Sequence, residues 1–119
     1  KNLPIVGGVY PFRADIPAFP FKDGETGVTG LPGGFLMVRR DVIETLTAGM
    51  TPYACASLQY GALKVAPLFT REFREDGYTG EDYAFCSRAV AAGFPLAIEP
   101  DIDFTHVGTK AWTGNFGKQ

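Results

Sequence analysis

The chain has 119 residues, which indicates a single domain over residues 1–119, near the lower end of the size at which a domain buries a good core. Its apolar content of 45% and charged content of 20% are ordinary for a globular protein. A net charge of −2 without a run of Lys or Arg argues against nucleic acid or an anionic membrane as a partner, and no apolar stretch reaches the ~18 residues that span a bilayer.

Strand and helix signals alternate along the chain, which indicates an α/β fold. Strands are expected at residues 3–13, 33–38, 65–69, 96–98 and 101–107, while residues 51–64 are ambiguous. Gly7 and Gly8 interrupt the first strand and predict a bulge or a close backbone approach. Residues 14–29 carry prolines, glycines and aromatics without a period, and are interpreted as a long loop.

Two helices are expected. In the first, Asp41 is the predicted N-cap, Glu44 is its capping-box partner and Gly49 ends the helix. The second helix is expected over residues 79–92 and is stopped by Gly93. The segment that follows the last strand is rich in glycine and is expected to be loose apart from Trp112.

The two cysteines bear on the cellular compartment. Cys55 and Cys86 form no C-x-x-C pair and lie far apart in the chain. No signal-peptide pattern is seen at the start of the sequence. We therefore expect reduced thiols and a cytoplasmic protein.

An acidic pair, Glu81 and Asp82, opens the second predicted helix. Helical spacing places positions 82, 85, 86, 89, 90 and 93 on one face, which is apolar except for Asp82 at its first position. Asp82 is thus expected to emerge at the edge of the core, where the positive end of the helix dipole stabilises a carboxylate. Such a carboxylate is suited to the role of a general base. The alternative is a structural role, because Thr79-x-x-Asp82 also fits a capping box.

The only histidine, His106, ends the last predicted strand. It is either satisfied there by a hydrogen bond or contacts a metal ion or phosphate. Strand alternation places Asp101 and Asp103 on the face opposite His106, so a straight strand does not bring all three to one ion. The glycines at 7–8 and 30–34 fit neither G-x-x-x-x-G-K-[ST] nor G-x-G-x-x-G, the two glycine-rich patterns that bind phosphate groups. They are expected to form turns or to let the backbone approach a ligand.

Three blocks together resemble the C-terminal half of a GT-A-type glycosyltransferase, close to family 2. In that family a Gly-Gly strand leads to an Arg and a helix, a Glu-Asp pair opens the next helix, and a strand ends in His-x-Gly. The resemblance covers roughly residues 3 to 114. The blocks are GGFLMVRRDV at 33–42, GEDYAFCSRA at 80–89 with Ala92-Gly93, and PDIDFTHVG at 100–108.

The resemblance implies a partial GT-A-like mixed sheet and transfer of a sugar from a nucleotide-sugar donor to an acceptor hydroxyl, on a glycan or another alcohol. It implies Asp82 as the base, Glu81 as its partner at the acceptor, and His106 as a ligand of a divalent cation, Mn²⁺ or Mg²⁺, or of the diphosphate. Residues 106–112 are also similar to the His-Gly-Lys-Trp ending of another GT-A family. The substrate-binding residues implied are Gly33, Gly34, Arg39, Lys110 and Trp112.

In the family, a nucleotide-binding half with its Asp-x-Asp precedes the part matched here. The chain is therefore expected to lack that half and most of the donor site, to be inactive in isolation, and to associate with the missing half or with itself through an open sheet edge. The alternative function is a non-catalytic binding or homo-oligomeric assembly module built on the same half-fold.

Overall fold

A computed structural model describes residues 2–15, 19, 27–55 and 63–118 of the chain. It is an α/β arrangement of nine short strands, two α-helices and a final 3-10 turn within that part. The predicted loop at 14–29 lies largely outside the described residues. The elements in chain order are β1 (Ile5–Gly8), β2 (Leu36–Val38), α1 (Arg40–Ala48), β3 (Tyr53–Ala54), β4 (Lys64–Val65), β5 (Glu72–Arg74), β6 (Gly77–Thr79), α2 (Glu81–Ala91), β7 (Leu96–Glu99), β8 (Asp103–Val107), β9 (Ala111–Asn115) and the 3-10 turn (Phe116–Lys118).

A three-stranded mixed sheet organises the domain. β1 lies in the centre, antiparallel to β2 and parallel to β7. The other strands form three two-stranded ladders, β3 with β4, β5 with β6 and β8 with β9. No helix of the described part is long and apolar enough to cross a membrane.

The core lies between one face of the mixed sheet and the two helices. Ile5 of β1 packs with Val42 of α1 and with Phe85 of α2, and each of these side chains is fully buried. Alternation along the strands turns Leu36, Val38, Leu96 and Ile98 to the same face, where they pack around this cluster. Burial of large side chains between sheet and helices is the main stabilising contribution in a domain of this size.

The buried stripe of α2 differs in part from the prediction. Phe85, Cys86 and Ala89 are fully buried as expected, but Ala84 is buried too and Val90 is 42% exposed. The stripe is turned towards Ala84, on the side where Arg88, one turn further along the helix, donates to the Leu68 carbonyl oxygen. The ring of Phe69 stacks on Phe85 with centroids 4.6 Å apart, which helical spacing within α2 does not reveal.

Both predicted N-caps are wrong, whereas Gly49 is the C-cap of α1 as predicted. Helix α1 is capped by Arg39 and helix α2 by Gly80, and neither cap makes a side-chain hydrogen bond. Asp41 instead accepts hydrogen bonds of 2.6 and 2.7 Å from the Arg39 guanidinium, and this pairing lowers the pKa of Asp41. Thr79 belongs to β6, so no capping box with Asp82 forms.

Two predictions about strands also need correction. Residues 33–38 were expected as a buried strand, but β2 is short and lies at an edge of the mixed sheet, with Met37 63% exposed. The expected edge strand at 65–69 is reduced to Val65 at the end of β4. Both elements are at sheet edges, where one side of the backbone has no partner strand among the described residues to extend the pairing.

The segment after Gly108 is ordered, contrary to the prediction of a loose tail. β9 pairs with β8 along five residues, so that Trp112 lies opposite His106. Phe116 follows and is only 6% exposed. The glycine content predicted a loose segment, but cross-strand pairing and the burial of a single aromatic side chain compensate for the flexibility of the glycines.

Gly8 makes the predicted close approach without a bulge. The parallel register of β1 with β7 runs unbroken from Ile5 to Gly8. A Cβ at Gly8 would lie 2.3 Å from the Phe104 ring, which packs on Phe35 with centroids 5.5 Å apart. The absence of a side chain at Gly8 therefore lets β8 lie against the mixed sheet.

Candidate functional site

The acidic pair is placed at the first turn of α2. Gly80 caps the helix and Glu81 and Asp82 follow. Asp82 Oδ2 accepts a hydrogen bond of 2.9 Å from the Gly33 N–H, and Oδ1 accepts one of 2.8 Å from the Tyr83 N–H. A carboxylate oxygen has two acceptor positions, so each oxygen keeps one position for a further donor. The carboxylate is oriented by the backbone and still able to accept a proton.

The segment at residues 30–34 is held along the same helix. A Cβ at Gly30 would lie 2.3 Å from the Tyr83 ring, so only glycine lets the ring pack there. The Leu31 N–H donates to the Cys86 thiol at 3.4 Å, and burial raises the pKa of that thiol. These contacts explain why Gly33 reaches Asp82 at hydrogen-bond distance.

Burial, followed by the charge of Asp82, raises the pKa of Tyr83 above its ordinary value. The phenol therefore stays neutral and retains its proton beside the carboxylate.

Glu81 is exposed and forms an ion pair of 3.7 Å with Arg71. A solvent-exposed pair of this length contributes little to stability, so Glu81 is free to exchange Arg71 for another partner.

A cavity of about 690 Å³ lies in front of Asp82. It brings together four residues that the sequence predicts as site residues, Gly33, Gly34, Glu81 and Asp82. Its size is in the range of small-molecule sites, and its apolar walls with a few polar groups are typical of them.

Tyr10 is a site residue that the sequence analysis missed. It lines the cavity in front of Asp82 and also an adjoining cavity of about 230 Å³ that contains His106 and Gly34. Its ring lies edge-on to His106, with centroids 5.4 Å apart. Tyr10 stands in the sequence only as an aromatic near the first strand, and no spacing rule links it to Gly34 or His106.

His106 has partners at both ring nitrogens. Arg13 Nε donates to His106 Nε2 at 3.1 Å, so Nε2 is an acceptor and carries no proton. Nδ1 lies 3.0 Å from the Pro11 carbonyl oxygen and must then be the donor. This arrangement matches the predicted alternative, in which a histidine near the end of a strand is satisfied by hydrogen bonds.

The described residues do not fit a divalent cation. Within residues 2–15, 27–55 and 63–118 no group of three or more His, Cys, Asp or Glu side chains could hold a metal ion. Both ring nitrogens of His106 are engaged, and Asp103 accepts a hydrogen bond of 2.6 Å from Asn115 on the other face of β8. A cation would need ligands from elsewhere and the loss of the contact from Arg13.

The structure does not bring Arg39, Lys110 or Trp112 to the cavity in front of Asp82. Arg39 binds Asp41 and borders another cavity, of about 600 Å³. Lys110 forms an ion pair with Asp15. Trp112 packs near Gly108, and its buried indole N–H has no hydrogen-bond partner among the described residues.

Gly34→Ala should alter the cavity. The new Cβ would lie 2.5 Å from Tyr10 Cε1, which requires the ring to move. We expect a destabilisation of about 1–3 kcal/mol, typical of overpacking, in the free energy of urea unfolding. Gly49→Ala is the matched control, because in the described part of the chain only its own neighbours in sequence lie within 4 Å of the added Cβ. Equal unfolding free energies for the two variants would contradict the packing of Tyr10 on Gly34.

Taken together, the cavity offers an oriented carboxylate, a second carboxylate beside it, and a wall of two glycines. Such a set can accept a proton from a hydroxyl group and bind neighbouring hydroxyl groups.

Comparisons with protein-family models, with curated proteins and with solved structures found no match to this chain.

Proposed function

We propose that this chain is the acceptor-side half of a GT-A-type, family-2-like glycosyltransferase, which transfers a sugar from a nucleotide-sugar donor to an acceptor hydroxyl. One observation carries the proposal. The carboxylate of Asp82, oriented by the Gly33 N–H, faces a cavity that also contains Glu81 and Gly34. A structural capping role alone does not require this cavity or the second carboxylate.

Asp82 is the general base in this proposal. An acceptor hydroxyl in the cavity donates a hydrogen bond to the free position of a carboxylate oxygen, which takes the proton as the acceptor oxygen attacks the anomeric carbon of the donor sugar. The bond from that carbon to the diphosphate oxygen breaks, and the nucleoside diphosphate leaves with the electron pair. Glu81 binds further hydroxyls of the acceptor, and the bare backbone at Gly33 and Gly34 lets a sugar ring approach closely.

The nucleotide belongs to a nucleotide-binding half that acts beside these residues in the proposed enzyme. A divalent cation on the leaving diphosphate would take its ligands there, since the described residues do not fit one. His106 supports the site through Tyr10, whose ring it contacts edge-on.

The test is acceptor-dependent release of UDP or GDP from nucleotide-sugars by the protein that carries this chain together with the nucleotide-binding half. Release that requires an oligosaccharide acceptor is the expected result, and no release with any UDP- or GDP-sugar would overturn the proposal. Residues 1–119 alone should show no rise in melting temperature with the same donors and Mn²⁺, because a complete site at 100 times its dissociation constant would add about 2.7 kcal/mol.

A second candidate, a homo-oligomeric assembly module, is favoured by the other face of the mixed sheet. Val6, Phe35 and Met37 line the 600 Å³ cavity there, and Met37 is 63% exposed at an edge strand. Light scattering combined with the release assay distinguishes the two. A self-associating chain that releases no nucleotide with its partner half supports the module, and acceptor-dependent release of nucleotide supports the enzyme.

A further inference from the structure

The hairpin of β5 and β6 presents two large aromatic rings to solvent. Phe73 and Tyr78 are directly opposite each other in its register. Phe73 is 81% exposed and Tyr78 64% exposed. Their rings are stacked, with centroids 5.9 Å apart and planes inclined by 27°. The pair forms a platform, defined here as these two rings, on one face of the hairpin.

The opposite face of the hairpin attaches it to α2. Glu72 accepts hydrogen bonds of 2.8 Å from Arg88 and from Arg74. Arg88 also donates to the Leu68 carbonyl oxygen at 2.6 Å, and its side chain is only 24% exposed. A partly buried, charge-assisted network of this kind fixes orientation. The platform rings are therefore not needed to hold the hairpin, and they face outward in a set position relative to the helix.

The platform lies near Asp82. Tyr78 precedes Asp82 by four residues, which span at most about 14 Å of extended chain. The ion pair of 3.7 Å between Arg71 and Glu81 also joins the residue before β5 to the acidic pair. An acceptor that spans about 14 Å from its hydroxyl at Asp82 is therefore long enough to reach this hairpin.

We propose that Phe73 and Tyr78 bind a sugar ring of the acceptor, so that the acceptor is an oligosaccharide or polysaccharide extending from Asp82 to the hairpin. This inference rests on the proposed glycosyl transfer. A pyranose ring presents one face of C–H groups, and these pack on the electron-rich face of an aromatic ring. The area of the platform suits one sugar ring better than a protein partner. Two aromatic side chains bury about 150–250 Å² each, well below the roughly 800 Å² per partner of a stable protein interface.

Binding of oligosaccharides tests the inference directly. Isothermal titration of the chain with β-1,4-linked hexasaccharides of glucose, N-acetylglucosamine and mannose should show binding of at least one, and weaker binding of the matching monosaccharide. Phe73→Ala and Tyr78→Ala should each weaken that binding about tenfold. Tyr53→Ala is the matched control, because Tyr53 is 61% exposed on β3 and lies outside the platform.

The outcomes separate this inference from the proposed transfer. No binding of any hexasaccharide, equal affinity in the platform variants, or hexasaccharide binding no stronger than that of the monosaccharide would overturn the platform. Self-association of the wild type that Phe73→Ala abolishes would assign the rings to a protein contact and would overturn it as well. Full transfer by Asp82→Asn, with hexasaccharide binding that still depends on Phe73 and Tyr78, would overturn the base alone.

Discussion

Asp82→Asn should reduce sugar transfer by the proposed glycosyltransferase, with its nucleotide-binding half present, by at least ~10², the usual scale for loss of a general base. The amide cannot take the proton of the acceptor hydroxyl. Donor binding should be nearly unchanged, because the nucleotide-binding half holds the donor in the proposed enzyme, whereas Asp82 contacts only the Gly33 and Tyr83 backbone. The measurement is the rate of nucleoside diphosphate release, together with the dissociation constant of the donor.

The substitution also removes a hydrogen bond of the fold, so a control variant must separate this structural effect from the loss of the base. Asparagine has one acceptor oxygen where aspartate has two, so one of the two backbone N–H contacts is lost, at a cost of about 1 kcal/mol. Asp41→Asn makes the same change in the first turn of α1, where Asp41 binds Arg39, and should leave transfer unchanged. Wild-type rates for Asp82→Asn would contradict its role as the base and leave it as a residue that orients the 30–34 segment.

Phe85→Ala should lower the free energy of unfolding by about 3–5 kcal/mol, the usual range for an aromatic truncated in a core. Phe85 is fully buried and stacks on Phe69, which lines the cavity in front of Asp82. Domains commonly have only about 5–15 kcal/mol of stability, so this change takes a large share. Urea unfolding followed by circular dichroism measures it.

The same substitution at an exposed position is the control. Phe73→Ala removes an identical side chain that is 81% exposed, and should change the unfolding free energy by less than about 0.5 kcal/mol. A loss below about 1.5 kcal/mol for Phe85→Ala would contradict its place in the core. A large loss for Phe73→Ala would show instead that the platform supports the hairpin.

The sequence predicted the parts of the site that are local. The Glu81–Asp82 pair at a helix start and the strand that ends near His106 follow from helical and strand periodicity, and both are confirmed. The apolar face of α2 was predicted at Phe85, Cys86 and Ala89 for the same reason. Each of these inferences depends on spacing within one element, which neighbouring elements did not override.

Partners across the chain could not be predicted. Asp82 was a plausible cap for its own helix, yet it binds Gly33, 49 positions away. His106 was a plausible ligand, yet it bonds Pro11 and Arg13, more than 90 positions away. A carboxylate or an imidazole satisfies its hydrogen-bonding groups with whatever the fold brings near, and one sequence carries no signal for such pairs.

The sequence by itself determined the α/β class, the second helix with its acidic start and the alternation of the strand ending near His106, because periodicity and glycine breaks act over a few residues. Only the tertiary structure decided that Gly33, Gly34 and Tyr10 share a cavity with Asp82, that Arg39 lies elsewhere, and that the segment after Gly108 forms a strand. These features depend on contacts between elements distant in the chain, whose energies local patterns do not contain.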